Sequence, residues 1–181
     1  MTKTTDNVRR MVLCAMFTAL VAVCSQIAVP MPWGVPINLA LFAVYMAGTM
    51  LGPVWGTASQ VVFIALAAIG VPVLANFSGG FDKFVGPTGG FLISFPLMAY
   101  IIGLGVEHRD AFKGAFVTAV IVGTVVNYVV GVALFVVVAH STIAVGISAC
   151  VLPFIPTAII KAVLACAIGL NLRKRIPGLK A

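Results

Sequence analysis

The sequence predicts an all-α integral membrane protein with six membrane-spanning helices and both termini in the cytoplasm. The first observation behind this prediction is composition: 62% of the 181 residues are apolar, and the mean hydropathy is +1.19. A soluble domain of this size cannot bury so much apolar surface in one core. The second observation is that the apolar residues form long segments, and about 17 to 25 such residues cross a bilayer core of roughly 30 Å as a helix.

Six apolar segments follow one another along the chain. Their approximate bounds are 11–29, 37–51, 55–70, 89–106, 112–139 and 143–172. Spans two and three are short and are joined through Gly52 and Pro53. Span one is not interpreted as a cleaved secretory signal, because no small-residue cleavage site stands out before Pro30 and five spans follow it. No linker or second domain is apparent, so residues 1–181 are interpreted as a single transmembrane domain.

The basic residues orient the chain, because lysine and arginine near span ends favour the cytoplasmic side. With the N-terminus inside, Lys83 lies outside and Lys161 lies within a span. The other basic residues are then cytoplasmic: Lys3, Arg9, Arg10, Arg109, Lys113, Arg173, Lys174, Arg175 and Lys180. Topology and anionic lipid therefore explain the net charge of +7. Nucleic acid is excluded as a partner, because no aromatic platform or separate basic domain is present.

No arrangement of residues in the sequence is typical of an enzyme. There is no nucleotide-binding Walker motif, and neither histidine can be combined into a Ser/His/Asp or Cys/His arrangement. We therefore expect neither an enzyme nor a pump that hydrolyses ATP by itself, and we expect no cofactor or metal. The cysteines lack metal-ligand spacing and are interpreted as small apolar packing residues: Cys14, Cys24, Cys150 and Cys166.

Two polar residues lie deep inside predicted spans and are candidates for a ligand site, because a polar or ionisable group at membrane depth is costly. At 1.5 Å per residue, Lys161 lies about 18 Å above Arg173, and Asn127 lies about 21 Å above Lys113. The two side chains therefore share a depth. Snorkelling or internal pairing of Lys161, and a helix-to-helix hydrogen bond by Asn127, are open alternatives.

The lid loop, residues 71–88, connects spans three and four on the outer side. The stretch GGFDKFVGPTGG forms its second half and leads into span four. Its glycines permit backbone conformations closed to other residues, and Thr88 is placed to cap the next helix. The N-terminus of that helix presents free N–H groups that favour a carboxylate. We interpret the loop as a lid over a pocket with Lys161 at its floor; a flexible hairpin is the open alternative. Asp82 and Lys83 are expected to be solvated.

Three stretches of the sequence carry a family resemblance. They are PVLANFSGGFDKFVGPTGGFLISFPLMAYIIG at residues 72–103, VPMPWGVPINLALFAVYMAGTMLGP before it, and LPFIPTAIIKAVLA near the end. In these stretches the chain resembles the BioY family, the biotin-specific S components of energy-coupling factor (ECF) transporters. The resemblance implies an S-component-like bundle of six helices in a prokaryotic plasma membrane, with an outward-facing biotin pocket closed by the lid loop. It also implies two kinds of partner, a transmembrane coupling protein and a pair of cytoplasmic ATPases.

The resemblance and the polar residues together define the expected sites. S components of this type dock to the coupling protein through small residues at four-residue spacing on the first helix. Ala15 and Ala19 fit that pattern, because residues four apart share a helix face; the open alternative is that they pack inside the bundle. The expected ligand-binding residues are Lys161, Asn127, Asn76, Phe77, Thr88, Gly89, Phe91 and Tyr128.

Two positions depart from the family's pattern. Ala158 stands where an Asp commonly lies three residues before the Lys, and Ala40 stands where the second helix often has Gln. The ureido ring of biotin offers two N–H donors and one carbonyl, so the missing carboxylate removes an acceptor. Either Asn127 or Asn76 replaces it, or the chain binds another carboxylate vitamin such as lipoate. A self-sufficient facilitator is a further alternative, disfavoured because no internal repeat with paired broken helices is apparent.

Overall fold

The computed structural model describes residues 3–32, 34–109 and 114–175. Most of this part of the chain is helical, and one short antiparallel ladder joins two two-residue strands. Five of the helices, all except α5, are long and apolar enough to cross a membrane. The elements are α1 Lys3–Gln26, β1 Ala28–Val29, β2 Ile37–Asn38, α2 Ala40–Ala68, α3 Gly89–Glu107, α4 Ala115–Val138, α5 Ile143–Cys150 and α6 Ile155–Arg175.

Helix α2 is broken at Gly52, where the backbone has φ 77° and ψ −172°, a conformation essentially restricted to glycine. A Cβ at Gly56 would lie 3.0 Å from the carbonyl oxygen of Ala47. In a continuous helix these residues are about 13 Å apart along the axis, so α2 folds back on itself. It consists of a first arm, residues 40–51, and a second arm, residues 53–68.

Two other helices hold this bend. Arg173 of α6 is buried, and its guanidinium donates hydrogen bonds to the carbonyl oxygens of Thr49 (3.1 Å) and Met50 (3.4 Å). The last carbonyls of a helix have no intrahelical partner, so this contact caps the first arm. On α3, a Cβ at Gly103 would overlap the backbone of Gly52 and Pro53, so glycine is required for α3 to pack against the bend.

The core lies around α2, which packs against α1, α3 and α6. Its largest fully buried apolar and aromatic side chains are Tyr45, Phe63, Met98 and Ile102. All four cysteines are free and three of them are buried, as expected of packing residues. By contrast, α4 and α6 carry large apolar side chains that are exposed, and all of them except Ile160 line an apolar groove between the two helices: Val117, Ile121, Val125, Ile159, Ile160 and Val163.

The first two predicted spans are wrong at the ends that flank the ladder. Span one was expected to run to residue 29, but α1 ends at Gln26, and span two was expected to start at residue 37, but α2 begins at Ala40. The reason is that Ala28 pairs with Asn38 and Val29 pairs with Ile37. Backbone groups used in a ladder are not available to a helix, so the fold is not purely α-helical.

The predicted sixth span, 143–172, is wrong as one continuous helix. The structure divides it into α5 and α6, with turns at residues 151–154 between them. Pro153 lies in this gap; it lacks an N–H group and disfavours helical geometry at Leu152. The start of span one, expected at residue 11, is also wrong, because α1 begins eight residues earlier at Lys3; the remaining described span ends agree with the structure to within three residues. Phe112, where span five was expected to begin, Lys113 and Lys180 lie outside the described residues, as does the side chain of Lys3.

We expect Gly52→Ala to destabilise the fold by about 1–3 kcal/mol, because an L-residue is strained at this backbone conformation. Thermal unfolding in detergent measures the effect. Gly86→Ala is the matched control, since a Cβ there would lie at an ordinary 3.4 Å from its nearest neighbour, the carbonyl oxygen of Asp82. Equal melting temperatures for the two variants would contradict the assigned bend.

Candidate ligand-binding site

A cavity of about 230 Å³ lies beneath the lid loop, between the β1–β2 hairpin, α3, α4 and α6. Its lining contains two lysines, and none of its described lining residues is acidic, so the cavity favours an anion. Six of the predicted ligand-binding residues line it: Lys161, Asn127, Asn76, Thr88, Phe91 and Tyr128. The structure therefore brings most of the predicted site together.

Lys161 extends from α6 into the wall of the cavity and is half-buried. Its Nζ donates a hydrogen bond to the carbonyl oxygen of Asn38 at 2.7 Å. The side chain of Asn38 in turn accepts a hydrogen bond from the N–H of Ala40 (3.1 Å), at the start of the first arm. Internal pairing is thus observed, but an ammonium has three donors, so two remain for a ligand.

Asn127 on α4 is fully buried. Its Nδ2 donates to the carbonyl oxygen of Phe91 (3.1 Å) and to Oγ of Ser94 (2.7 Å). The expected helix-to-helix hydrogen bond is therefore present. Oδ1, however, is buried without a partner among the described residues. Because an unpaired buried acceptor is costly, this atom is available to a donor from a ligand.

Tyr128 and Phe91 form an aromatic wall beside Asn127. Their rings meet edge to face with centroids 6.5 Å apart, a favourable geometry for aromatic pairs. The hydroxyl of Tyr128 is also buried and has no hydrogen-bond partner in the described part of the chain. The wall and the neighbouring Asn127 therefore combine apolar surface with two unpaired polar atoms, the Tyr128 hydroxyl and Asn127 Oδ1.

The lid loop is held by Gln26, the last residue of α1. Its Oε1 accepts from the N–H of Phe77 at 2.9 Å, and its Nε2 donates to the carbonyl oxygen of Leu74 at 3.0 Å. Asn76 and Phe77 both have positive φ, 58° and 53°, which costs energy for non-glycine residues. The amide of Gln26 offsets this strain by bonding to the backbone on each side of Asn76. Sequence reasoning missed Gln26, since a polar residue at a helix end is ordinary.

Two predicted ligand-binding residues do not line the cavity. Phe77 is 75% exposed on the outer side of the loop. Gly89 is buried, and a Cβ there would overlap the backbone of Phe84, so glycine serves the packing of the lid loop against α3. Thr88 does line the cavity and precedes α3, but its side chain makes no capping hydrogen bond, so the expected cap is wrong.

The cavity is also lined by residues outside the predicted ligand-binding set. Ala158 and Ala40, the two departures from the family pattern, line it and present methyl groups to its interior surface. Lys83 lines it as well, so the expectation of a merely solvated side chain is wrong. Additional polar lining comes from Ser25, Asn38, Ser78 and Thr157. Only the tertiary packing of the helices, the hairpin and the loop brings these residues together.

Ala15 and Ala19 lie away from the cavity, on the exposed face of α1. The same face carries large apolar side chains at Val12, Met16 and Val23, which are 53–62% exposed. The alternative that the two alanines pack inside the bundle is therefore excluded.

Known proteins share both the sequence pattern and the fold. The model of the BioY family matches residues 1–178. The biotin transporter BioY of Thermotoga maritima is 36% identical over 166 residues, which cover 92% of this chain and 96% of that protein. The biotin transporter BioY of Rhizobium etli is 33% identical over 180 residues, with 90% and 92% covered. The crystal structure of the S-component for biotin from an ECF-type ABC transporter matches with a TM-score of 0.86 at 32% identity and covers 96% of this chain and 95% of its own.

We expect Gln26→Met to loosen the lid loop, because it removes both hydrogen bonds at nearly constant volume. Amide hydrogen exchange at residues 74–80 should become about five- to tenfold faster. Gln26→Glu is the matched control: it keeps the acceptor for the Phe77 N–H and should fall in between. Unchanged exchange in the Met variant would show that the loop is held by other contacts.

Proposed function

The chain belongs to the BioY family, and from this membership we infer that it captures biotin at the outer face of the membrane for uptake by an ECF transporter. It is a multi-pass protein of the prokaryotic plasma membrane and is not an enzyme. Biotin is its transported substrate, and no cofactor takes part. The observation that carries the proposal is the cavity itself, in which a lysine ammonium and a buried, unpaired amide oxygen meet apolar and aromatic walls.

The ligand-binding residues that we propose are those of the cavity wall. Asn127 Oδ1 accepts an N–H of the ureido ring and replaces the carboxylate that is missing at Ala158. Lys161 donates a charge-assisted hydrogen bond, and Phe91 and Tyr128 contact the apolar rings. At the mouth, the remaining contacts come from Asn76 and Thr88.

The topology that we propose has six membrane crossings, both termini in the cytoplasm, and residues 1–181 as one domain. Each arm of α2 counts as one crossing, and α5 with α6 forms the last. Support comes from the two ends of the bundle: Gly52 and Arg173 meet at one end, and Gln26 meets the lid loop at the other. This arrangement places the cytoplasmic cluster of basic residues beside the bend.

The partners that we propose are a transmembrane coupling protein and a pair of cytoplasmic ATPases. Transport against a gradient needs an energy source, and the chain has no nucleotide-binding motif. The exposed face of α1 around Ala15 and Ala19 is the proposed docking surface, because small residues let another helix approach closely.

Lipoate is a second candidate ligand, favoured by one observation: Ala158 and Ala40 leave apolar surface where a ureido ring would need polar partners. Calorimetric titration of the detergent-purified protein with biotin and, in parallel, with lipoate tests the choice. Tight one-to-one binding of biotin supports the proposed function. Binding of lipoate but not of biotin would instead show that the protein has the fold of the family and takes up a different carboxylate vitamin.

We expect Lys161→Met to weaken biotin binding at least about tenfold, because a charge-assisted hydrogen bond at a half-buried site is lost. Titration calorimetry measures the affinity, and the melting temperature checks that the variant is folded. Lys174→Met, at an exposed position in the last turn of the same helix and away from the cavity, is the matched control and should bind as the unmodified protein does. An unchanged affinity in the Lys161 variant removes this residue from the site.

We expect Ala15→Leu and Ala19→Leu to abolish most biotin uptake in cells while leaving biotin binding by the isolated protein unchanged. The larger side chains keep the coupling protein from approaching α1. Ala133→Leu, at an exposed alanine on α4, is the matched control and should transport normally. Normal uptake by all three variants would indicate a different docking face, or transport without a coupling partner.

A further inference from the structure

The lid loop supplies the cavity with a second cation, Lys83. This side chain lines the cavity and is 41% exposed, and its Nζ lies 3.1 Å from a carboxylate oxygen of the adjacent Asp82, which is 68% exposed. We propose that Lys83 binds the carboxylate of the ligand at the mouth of the cavity, while Lys161 binds the carbonyl of the ureido ring. The inference rests on the proposed function and assigns an orientation to the bound biotin.

The number of charges is the first argument. Two lysines line the cavity, none of its described lining residues is acidic, and biotin carries a single carboxylate. If each lysine contacts a different polar group of the ligand, as we propose, one of them binds a neutral group. Lys161 is suited to this, since its ammonium already donates to a neutral acceptor, the carbonyl oxygen of Asn38.

The cost of desolvation is the second argument. A carboxylate taken fully out of water loses more hydration energy than a single ion pair returns. Next to Lys83 the carboxylate keeps part of its hydration, because this side chain is partly exposed and belongs to the same loop as exposed Asn76. Next to the more enclosed Lys161 it would lose more.

The pattern of donors and acceptors is the third argument. A ureido ring needs an acceptor for its N–H groups and a donor for its carbonyl. The buried part of the cavity offers both, as the unpaired Oδ1 of Asn127 and the ammonium of Lys161. The acyl tail then runs between apolar side chains toward the lid loop, where Lys83 is the remaining cation.

The existing ion pair of Lys83 does not oppose this assignment. An exposed pair between neighbouring residues contributes little to stability. The ligand carboxylate can thus share the ammonium with Asp82 or displace it, without leaving a buried charge unpaired.

Binding of biotin and of biotinamide, the uncharged amide with the same ring system, tests the orientation on the full chain in detergent. Lys83→Met should weaken biotin binding about five- to tenfold, which corresponds to the loss of a partly exposed charge-assisted contact. The same variant should bind biotinamide within about twofold of the unmodified chain. Lys161→Met should weaken both ligands, and Lys83→Arg should restore most of the affinity for biotin.

Asp82→Asn is the matched control, because it changes the charge of the loop and leaves Lys83 in place; it should retain biotin binding. Equal losses of biotin and biotinamide in Lys83→Met would overturn the inference by showing that Lys83 acts through the shape of the loop. A loss confined to biotin in Lys161→Met would reverse the orientation and overturn it as well. If the unmodified chain binds neither ligand, the proposed function itself fails.

Discussion

Two basic side chains fix α6 to the first arm of α2, and the rest of the bundle depends on this attachment. Lys161 bonds to the carbonyl of Asn38, just before the arm begins, and Arg173 bonds to the carbonyls of Thr49 and Met50, where it ends. Lys161 and Arg173 are twelve residues, or about 18 Å, apart along α6. The carbonyl groups that accept from them are separated by nearly the same number of residues along the chain. The two helices therefore run parallel, in a register set by charge-assisted bonds that are strong where water is scarce.

This attachment links the bend to the site. Gly52 reverses the chain at one end of the first arm, and Asn38 meets the cavity at the other. A shift of the arm would move the carbonyl that orients the Lys161 ammonium. Gly52 and Arg173 at one end of the arm and the cavity-lining Lys161 near the other are thus held together, although they are far apart in the sequence.

Hydropathy was enough to predict most of the bundle, and a few polar residues together with the family resemblance predicted much of the candidate site. Lys161 and Asn127 stood out because charge and amide groups are rare inside apolar spans, and the structure places both in one cavity. The break in the last span and the β1–β2 ladder were not predictable in this way. Strand pairing depends on residues brought together by the fold, and hydropathy does not report it. The inward position of Lys83 likewise depends on how the loop packs, which its local sequence does not determine.

In the proposed site, Asn127 takes over part of the role of a carboxylate. A carbonyl oxygen only accepts hydrogen bonds, so the atom that bonds to Phe91 must be Nδ2, and this fixes Oδ1 as the free atom. The amide is thereby oriented before a ligand arrives, and binding costs little side-chain entropy. A neutral acceptor is also cheaper to keep in an empty cavity than a charge.

The amide of Gln26 couples the stability of the lid loop to that of the end of α1. Whatever stabilises the bonded conformation of the loop also stabilises the end of α1, and thermodynamic linkage makes the converse equally true. The stability of the end of α1, the helix that carries Ala15 and Ala19, therefore depends on the conformation of the lid loop. A perturbation of the loop therefore has, through a single side chain, a route by which it alters the stability of the end of α1.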